Sequence, residues 1–166
     1  SDEIELFIPP KKGKKHVLRI IRELITFQPK NKSNNLENAL KFLMGAFKRK
    51  ANVFIFSDFI DDSNYFKTLK IAAKKHDINA IRIYDEKESE FPDVGLIQLI
   101  DNETGEKRFI NTSSPIVRKQ YHNYYLRMSY EFEQSFNQAS AGNLTIRADE
   151  DYINPLLYYF KNHKMK

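Results

Sequence analysis

Two apolar runs, VFIFSD at residues 53–58 and INAIRIY at 78–84, flank a stretch with helical spacing, and this arrangement restricts the fold more than any other feature. The run VFIF is continuous rather than alternating, the pattern of a strand covered on both faces. Between the runs, Phe66, Leu69 and Ala73 recur at the spacing of one helix face. Asp61, Asp62 and Ser63 precede that helix as candidate N-caps. Strand, helix, strand in this order requires a right-handed crossover between parallel strands. The spacing therefore predicts strands over 52–58 and 78–84 in a parallel sheet.

The remaining segments extend the same pattern. IELFI at 4–8 reads as a short strand stopped by Pro9 and Pro10. Val17, Ile20, Ile21, Leu24 and Phe27 predict a helix over 16–27, ended by Pro29. Leu36, Leu40, Leu43 and Phe47 predict a second helix. Residues 95–100 and 106–111 read as a hairpin around NETG. Thr112, Ser113 and Ser114, followed by Pro115, form the clearest helix start in the chain, and that helix is expected to run to about Ala141. NLTIR at 143–147 reads as a strand. ADED then caps a last helix carrying Leu156, Leu157, Tyr159 and Phe160. The sum is one α/β layered domain over residues 1–166, with a mostly parallel sheet plus a β-hairpin.

Composition removes several classes of function. The chain has no cysteine among its 166 residues, so disulfides, thiolate catalysis and cysteine-based zinc sites are out of reach. With 41% hydrophobic and 30% charged residues it reads as globular. No apolar run approaches the ~20 residues that span a bilayer. The start, SDEIEL, lacks signal-peptide character and an initiator Met, so it is expected to have been processed or cut. The net charge of +5 gathers in KKGKKH, KRK, KK and KNHKMK. Such runs read as solvated helix ends and loops, with nucleic acid as the sharper alternative.

The acids at the end of VFIFSDFIDD pose the chemical question, because strand ends are where α/β proteins hold ligands. A haloacid-dehalogenase phosphatase would need D-x-D, but Asp58 is followed by its next acid only at Asp61. None of the five glycines builds a phosphate-binding motif, and no H-x-x-x-H pair exists for zinc. His16 and His76 read as helix-end residues. Tyr121, Tyr124, Tyr125 and Tyr130, with Phe132 and Phe136, put aromatics on more than one face of the long helix, some for the sheet and some for a partner.

Several segments together carry a resemblance. LFIPPKKGKKHVLRIIRELITFQP, VFIFSDFIDD, AAKKHDINAIRIYDEKESEFPDVGLIQLIDNETGEKRFINTS and DEDYINPLLYYF resemble the C-terminal half of a bacterial von Willebrand factor A-like family of unknown function. That family is often encoded beside MoxR-type ATPases. The resemblance implies a Rossmann-like three-layer α/β/α fold. It also implies a metal-ion-dependent adhesion site built from D-x-S-x-S, a Thr and a final Asp. The final Asp falls on Asp58, and the Thr position falls on Asn34. No D-x-S-x-S occurs in the chain. The resemblance thus implies a partial domain lacking its first strands, with an incomplete site at Asp58 and Asn34. Mg²⁺ or Mn²⁺ is expected only in a full-length parent, and no cofactor in this chain. Asn34 with Glu37 also resembles a capping box for the second helix.

The function expected on these grounds is a non-enzymatic, cytoplasmic protein–protein interaction module, with a MoxR-type ATPase as partner. The alternatives are a basic nucleic-acid-binding domain and a metal-dependent hydrolase built on Asp58, Asp61 and Asp62. The partial-domain reading leaves strand 52–58 with an apolar edge, which is expected to pair with strand 4–8 or with a second chain.

Overall fold

The computed structural model describes residues 4–29, 35–60, 64–100 and 105–162. The order of elements is α1 (Lys14–Thr26), α2 (Leu36–Ala46), β1 (Asn52–Ser57), α3 (Phe66–Lys75), β2 (Asp77–Tyr84), a 3₁₀ turn (Glu86–Glu88), β3 (Leu96–Ile100), β4 (Lys107–Asn111), α4 (Pro115–Gln138), β5 (Gly142–Arg147) and α5 (Ile153–Asn162).

β1, β2 and β5 form a parallel sheet in that order, while β3 and β4 form a separate antiparallel pair. β2 lies in the middle, and its first six residues are all buried. Side chains alternate across a strand. Ile78 and Ala80 therefore face a core filled by Leu40 of α2, Leu69 of α3, and Phe132 and Phe136 of α4. Asp77, Asn79 and Ile81 face the other way. There α5 covers the sheet, with the Tyr159 hydroxyl donating to Asn79 Oδ1 (2.6 Å) and the Phe160 ring set against Phe54 (5.5 Å). Burial, with Asp77 nearby, pushes the Tyr159 phenol up to about 12.

The parallel sheet, the hairpin and all five described helices stand where the spacing predicts them, within two residues at most boundaries. Several expectations need correction. The run VFIF is not covered on both faces: Val53 and Ile55 turn inward, but Phe54 and Phe56 are 39% and 61% exposed. β1 is an edge strand, so its far face meets only part of α5, and the doubly covered strand is β2. Residues 4–8 form no strand and do not pair with β1. Pro9 and Pro10 follow directly, and Phe7 is held by ring contacts to Phe42 (5.3 Å) and Phe47 (6.4 Å) rather than by a ladder.

Two further corrections concern helix entry. The N-cap of α2 is Asn35, whose Oδ1 accepts from the Asn38 N–H (2.9 Å). Asn34, the residue expected there, lies outside the described residues. Glu37 instead binds Lys41 Nζ (2.8 Å) and accepts from Thr68 Oγ1 (3.3 Å), joining α2 to α3. These contacts, Lys41 foremost, hold its carboxyl below the usual value. The N-cap of α3 is Tyr65, with no side-chain cap, so the helix begins after the acids expected to cap it. Asp61, Asp62 and Ser63 lie outside the described residues.

α4 ends in a Schellman motif. Ala141 N–H bonds to Phe136 C=O (3.0 Å), and Ser140 N–H to Asn137 C=O (3.0 Å), with Ser140 in the left-handed region at φ 56°. Gly142, expected to stop the helix, opens β5 instead.

Candidate functional site

Parallel pairing brings Ser57, Arg82 and Thr145 side by side at the C-terminal end of the sheet. Here β1 runs into a tight turn. Ser57 Oγ accepts from the Phe59 N–H (3.0 Å) and donates to Asp58 Oδ1 (3.3 Å). The same Asp58 oxygen accepts from the Ile60 N–H (3.2 Å). Phe59 adopts φ 56°, which costs a non-glycine residue about 1–2 kcal/mol. Its ring offsets that cost by packing, 5% exposed, against Phe132 (4.5 Å) and Phe136 (5.4 Å). The turn therefore aims Asp58 by burying the residue that follows it.

Arg82 is the charged group at the centre of this end of the sheet, and it is 4% exposed. Its Nε donates to the Asp58 carbonyl (3.2 Å) and its guanidinium to Ser129 Oγ (2.6 Å). The guanidinium carbon lies over the rings of Tyr125 (5.1 Å), Tyr84 (5.8 Å) and Phe132 (6.0 Å). The Ser129 hydroxyl in turn donates to Tyr125 C=O (3.0 Å). The cation is thus stabilised by aromatic faces and neutral acceptors. It ties the Asp58 turn to α4.

Ligands in open α/β sheets bind where strand order reverses. The order β1, β2, β5 advances in one direction, so no reversal occurs among the described strands. Among the described residues, no group of three His, Cys, Asp or Glu side chains could hold a metal ion. Asp58 is brought to Ser57 and Arg82. Asn34, its expected co-ligand, and the acids Asp61 and Asp62 lie outside the described residues.

A shallow cavity of about 560 Å³ lies beyond β2, among Asp85, Glu86, Glu90, Phe91 and Asp149. Its acids are partly neutralised by Arg147, which pairs with Glu86 (3.0 Å), Asp149 (2.7 Å) and Glu150 (2.8 Å). Lys75, in one of the basic runs, donates to Met44 C=O at the end of α2 (2.9 Å) and serves the fold. His76, read from sequence as a helix-end residue, is 2% exposed, and neither ring nitrogen has a hydrogen-bond partner among the described residues.

Another cavity, of about 390 Å³, is almost wholly apolar. It lies along β1 (Val53 to Phe56), with Leu40, Leu43 and Phe47 of the α2 segment and the extended residues Ile4, Leu6 and Phe7 around it. It is a groove beside an edge strand.

The sequence model of a family described as a protein of unknown function, DUF58, matches residues 1–131. The chain belongs to the DUF58 family. It is 24% identical over 159 residues to the uncharacterised proteins Mb1516 of Mycobacterium bovis and Rv1480 of Mycobacterium tuberculosis, covering 95% of this chain and 50% of each of them. The uncharacterised protein MAV169 of Mycobacterium avium is equally similar over 159 residues, 94% of its own length. The chain therefore spans about half the length of Mb1516 and Rv1480. No solved structure matches it.

Sequence reasoning found Asp58 and missed Arg82 and the burial of His76. One signal was visible for Arg82. A cation inside INAIRIY, on a strand with apolar neighbours, demands buried partners.

Proposed function

We propose that this DUF58 chain is a protein–protein interaction module of a von Willebrand factor A-like, Rossmann-like α/β domain, and that a protein partner docks along β1. The observation that carries this reading is the apolar groove beside the β1 edge. An edge strand presents backbone donors and acceptors to an incoming strand, and an adjoining apolar groove takes alternate side chains. β1 carries no charged residue that would repel a second strand. A MoxR-type ATPase is the partner we infer from the family resemblance, with self-association along β1 as the competing outcome.

The reading is non-enzymatic and needs no cofactor. Asp58 Oδ1 accepts from both the Ser57 hydroxyl and the Ile60 N–H, which supports a role for that oxygen in holding the turn. A cation would need further oxygen ligands, about six for Mg²⁺ or Ca²⁺. We assign the module to the cytoplasm. No described helix is long and apolar enough to cross a membrane.

The test is a binding measurement with purified components. The wild-type chain should bind a MoxR-type ATPase, or itself, at micromolar concentration. Phe56→Lys, at a largely exposed position on β1, should abolish binding, and Asp58→Ala should leave it intact. Metal-dependent binding that is lost with Asp58→Ala would replace strand docking with an adhesion-site mechanism. Absence of both complexes would remove the interaction reading.

A further inference from the structure

α1 turns an apolar face to solvent and surrounds it with cations. Val17, Leu18, Ile21, Leu24 and Ile25 are 47–78% exposed, and no residue of α1 is buried. At the helical advance of about 100° per residue they share one arc of roughly 120°. Lys15, Arg19 and Arg22 fall outside that arc, and Lys11, Lys12 and Lys14 gather at the helix entry. The only acid from 11 to 26 is Glu23, which is paired with Arg19 (3.9 Å) and Arg22 (3.3 Å). At 13 residues the helix is about 20 Å long, too short to cross the ~30 Å hydrocarbon layer.

A strongly amphipathic helix with exposed aliphatic side chains and a basic polar face fits a membrane surface. The charge selects the surface: six cations against one acid complement anionic headgroups and gain nothing from neutral ones. We propose that α1 is a surface anchor that lies flat on an anionic phospholipid bilayer. The five aliphatic residues enter the boundary between headgroups and acyl chains, and the lysines and arginines lie against the lipid phosphates. This inference is independent of the β1 groove.

The chain contains no tryptophan, so Leu24→Trp supplies a single reporter on the face in question. Leu24 is 77% exposed and its replacement disturbs no core. With phosphatidylcholine vesicles carrying about a third phosphatidylglycerol, the Trp emission should shift to the blue and the protein should float with the vesicles. Vesicles of phosphatidylcholine alone should bind about tenfold less, and high salt should weaken binding to the anionic ones. The double substitution Leu18→Asp and Ile21→Asp should abolish flotation while the circular dichroism spectrum stays that of the wild type. Emission that remains at the water-exposed wavelength on anionic vesicles would overturn the proposal. So would flotation that survives the aspartate substitutions, because charge alone would then explain it. Self-association that disappears in the aspartate variant, without flotation of the wild type, would assign this face to a protein surface instead.

Discussion

His76 is the residue whose environment has the plainest consequence. It caps the C-terminal end of α3, 2% exposed, with both ring nitrogens unpartnered among the described residues. Burial first, and the neighbouring Lys75 second, hold its pKa below the ordinary value of 6.5. A proton is therefore bound more tightly by the unfolded chain than by the folded one. Stability from this residue is complete above about 6.5 and falls as pH drops toward the depressed folded value. Denaturant midpoints should decline between about pH 7.5 and 5.5, a window above most carboxylate titrations. His76→Leu should flatten that decline. An unchanged slope in the variant would place the sensitivity elsewhere. At the same scale, Asp58 was legible as the acid at the end of an apolar strand. Its use was not, because the bonds from Ser57 and Ile60 depend on a left-handed Phe59 that no local pattern announces.

Elements follow from periodicity where it is long, and their ends follow from chemistry that several residues can supply. The five described helices were readable because their apolar residues recur at helical spacing. Asn34 and Asn35 are both competent caps by residue type, and the backbone of Asn35 adopts the cap conformation. The C-terminal end of α4 makes a sharper case. Ser140 is exposed and occupies the left-handed position that glycine takes at most such ends. Ser140→Gly should raise stability by about 1 kcal/mol, the strain relieved less the entropy glycine adds. A loss of stability in thermal unfolding would show that Ser140 is held there by contacts rather than tolerated. The strand expected at 4–8 failed for a reason of scale. Five apolar-rich residues also suit an extended segment packed by its side chains, as Phe7 packs on Phe42 and Phe47.

For the molecule as a whole, apolar surface is distributed unevenly. The face under α2, α3 and α4 holds the core, while α1, the outer side of β1 and one face of the hairpin leave aliphatic and aromatic side chains exposed. Patches of that kind mark interaction surfaces, and both proposals rest on them. Metal plays no part in either. Mg²⁺ or Mn²⁺ should leave the unfolding temperature of this chain unchanged in a thermal-shift measurement. A rise that grows with metal concentration and vanishes in Asp58→Ala would restore a cation site at the end of β1.

By itself the sequence determined the class of fold: apolar runs and helical spacing require strands and helices in a set order, and a strand–helix–strand unit requires parallel pairing. Its lack of cysteine closed off disulfides, thiolate catalysis and cysteine-based zinc sites within this chain. Only the tertiary structure decided which strand is central, which apolar residues remain in solvent, and that Arg82 is buried under α4. The reason is physical. Periodicity records how a residue relates to its chain neighbours, whereas burial depends on what another segment brings to that face. β1 and β2 look alike as apolar runs, and only their places in the sheet separate an exposed Phe56 from a buried Ile81.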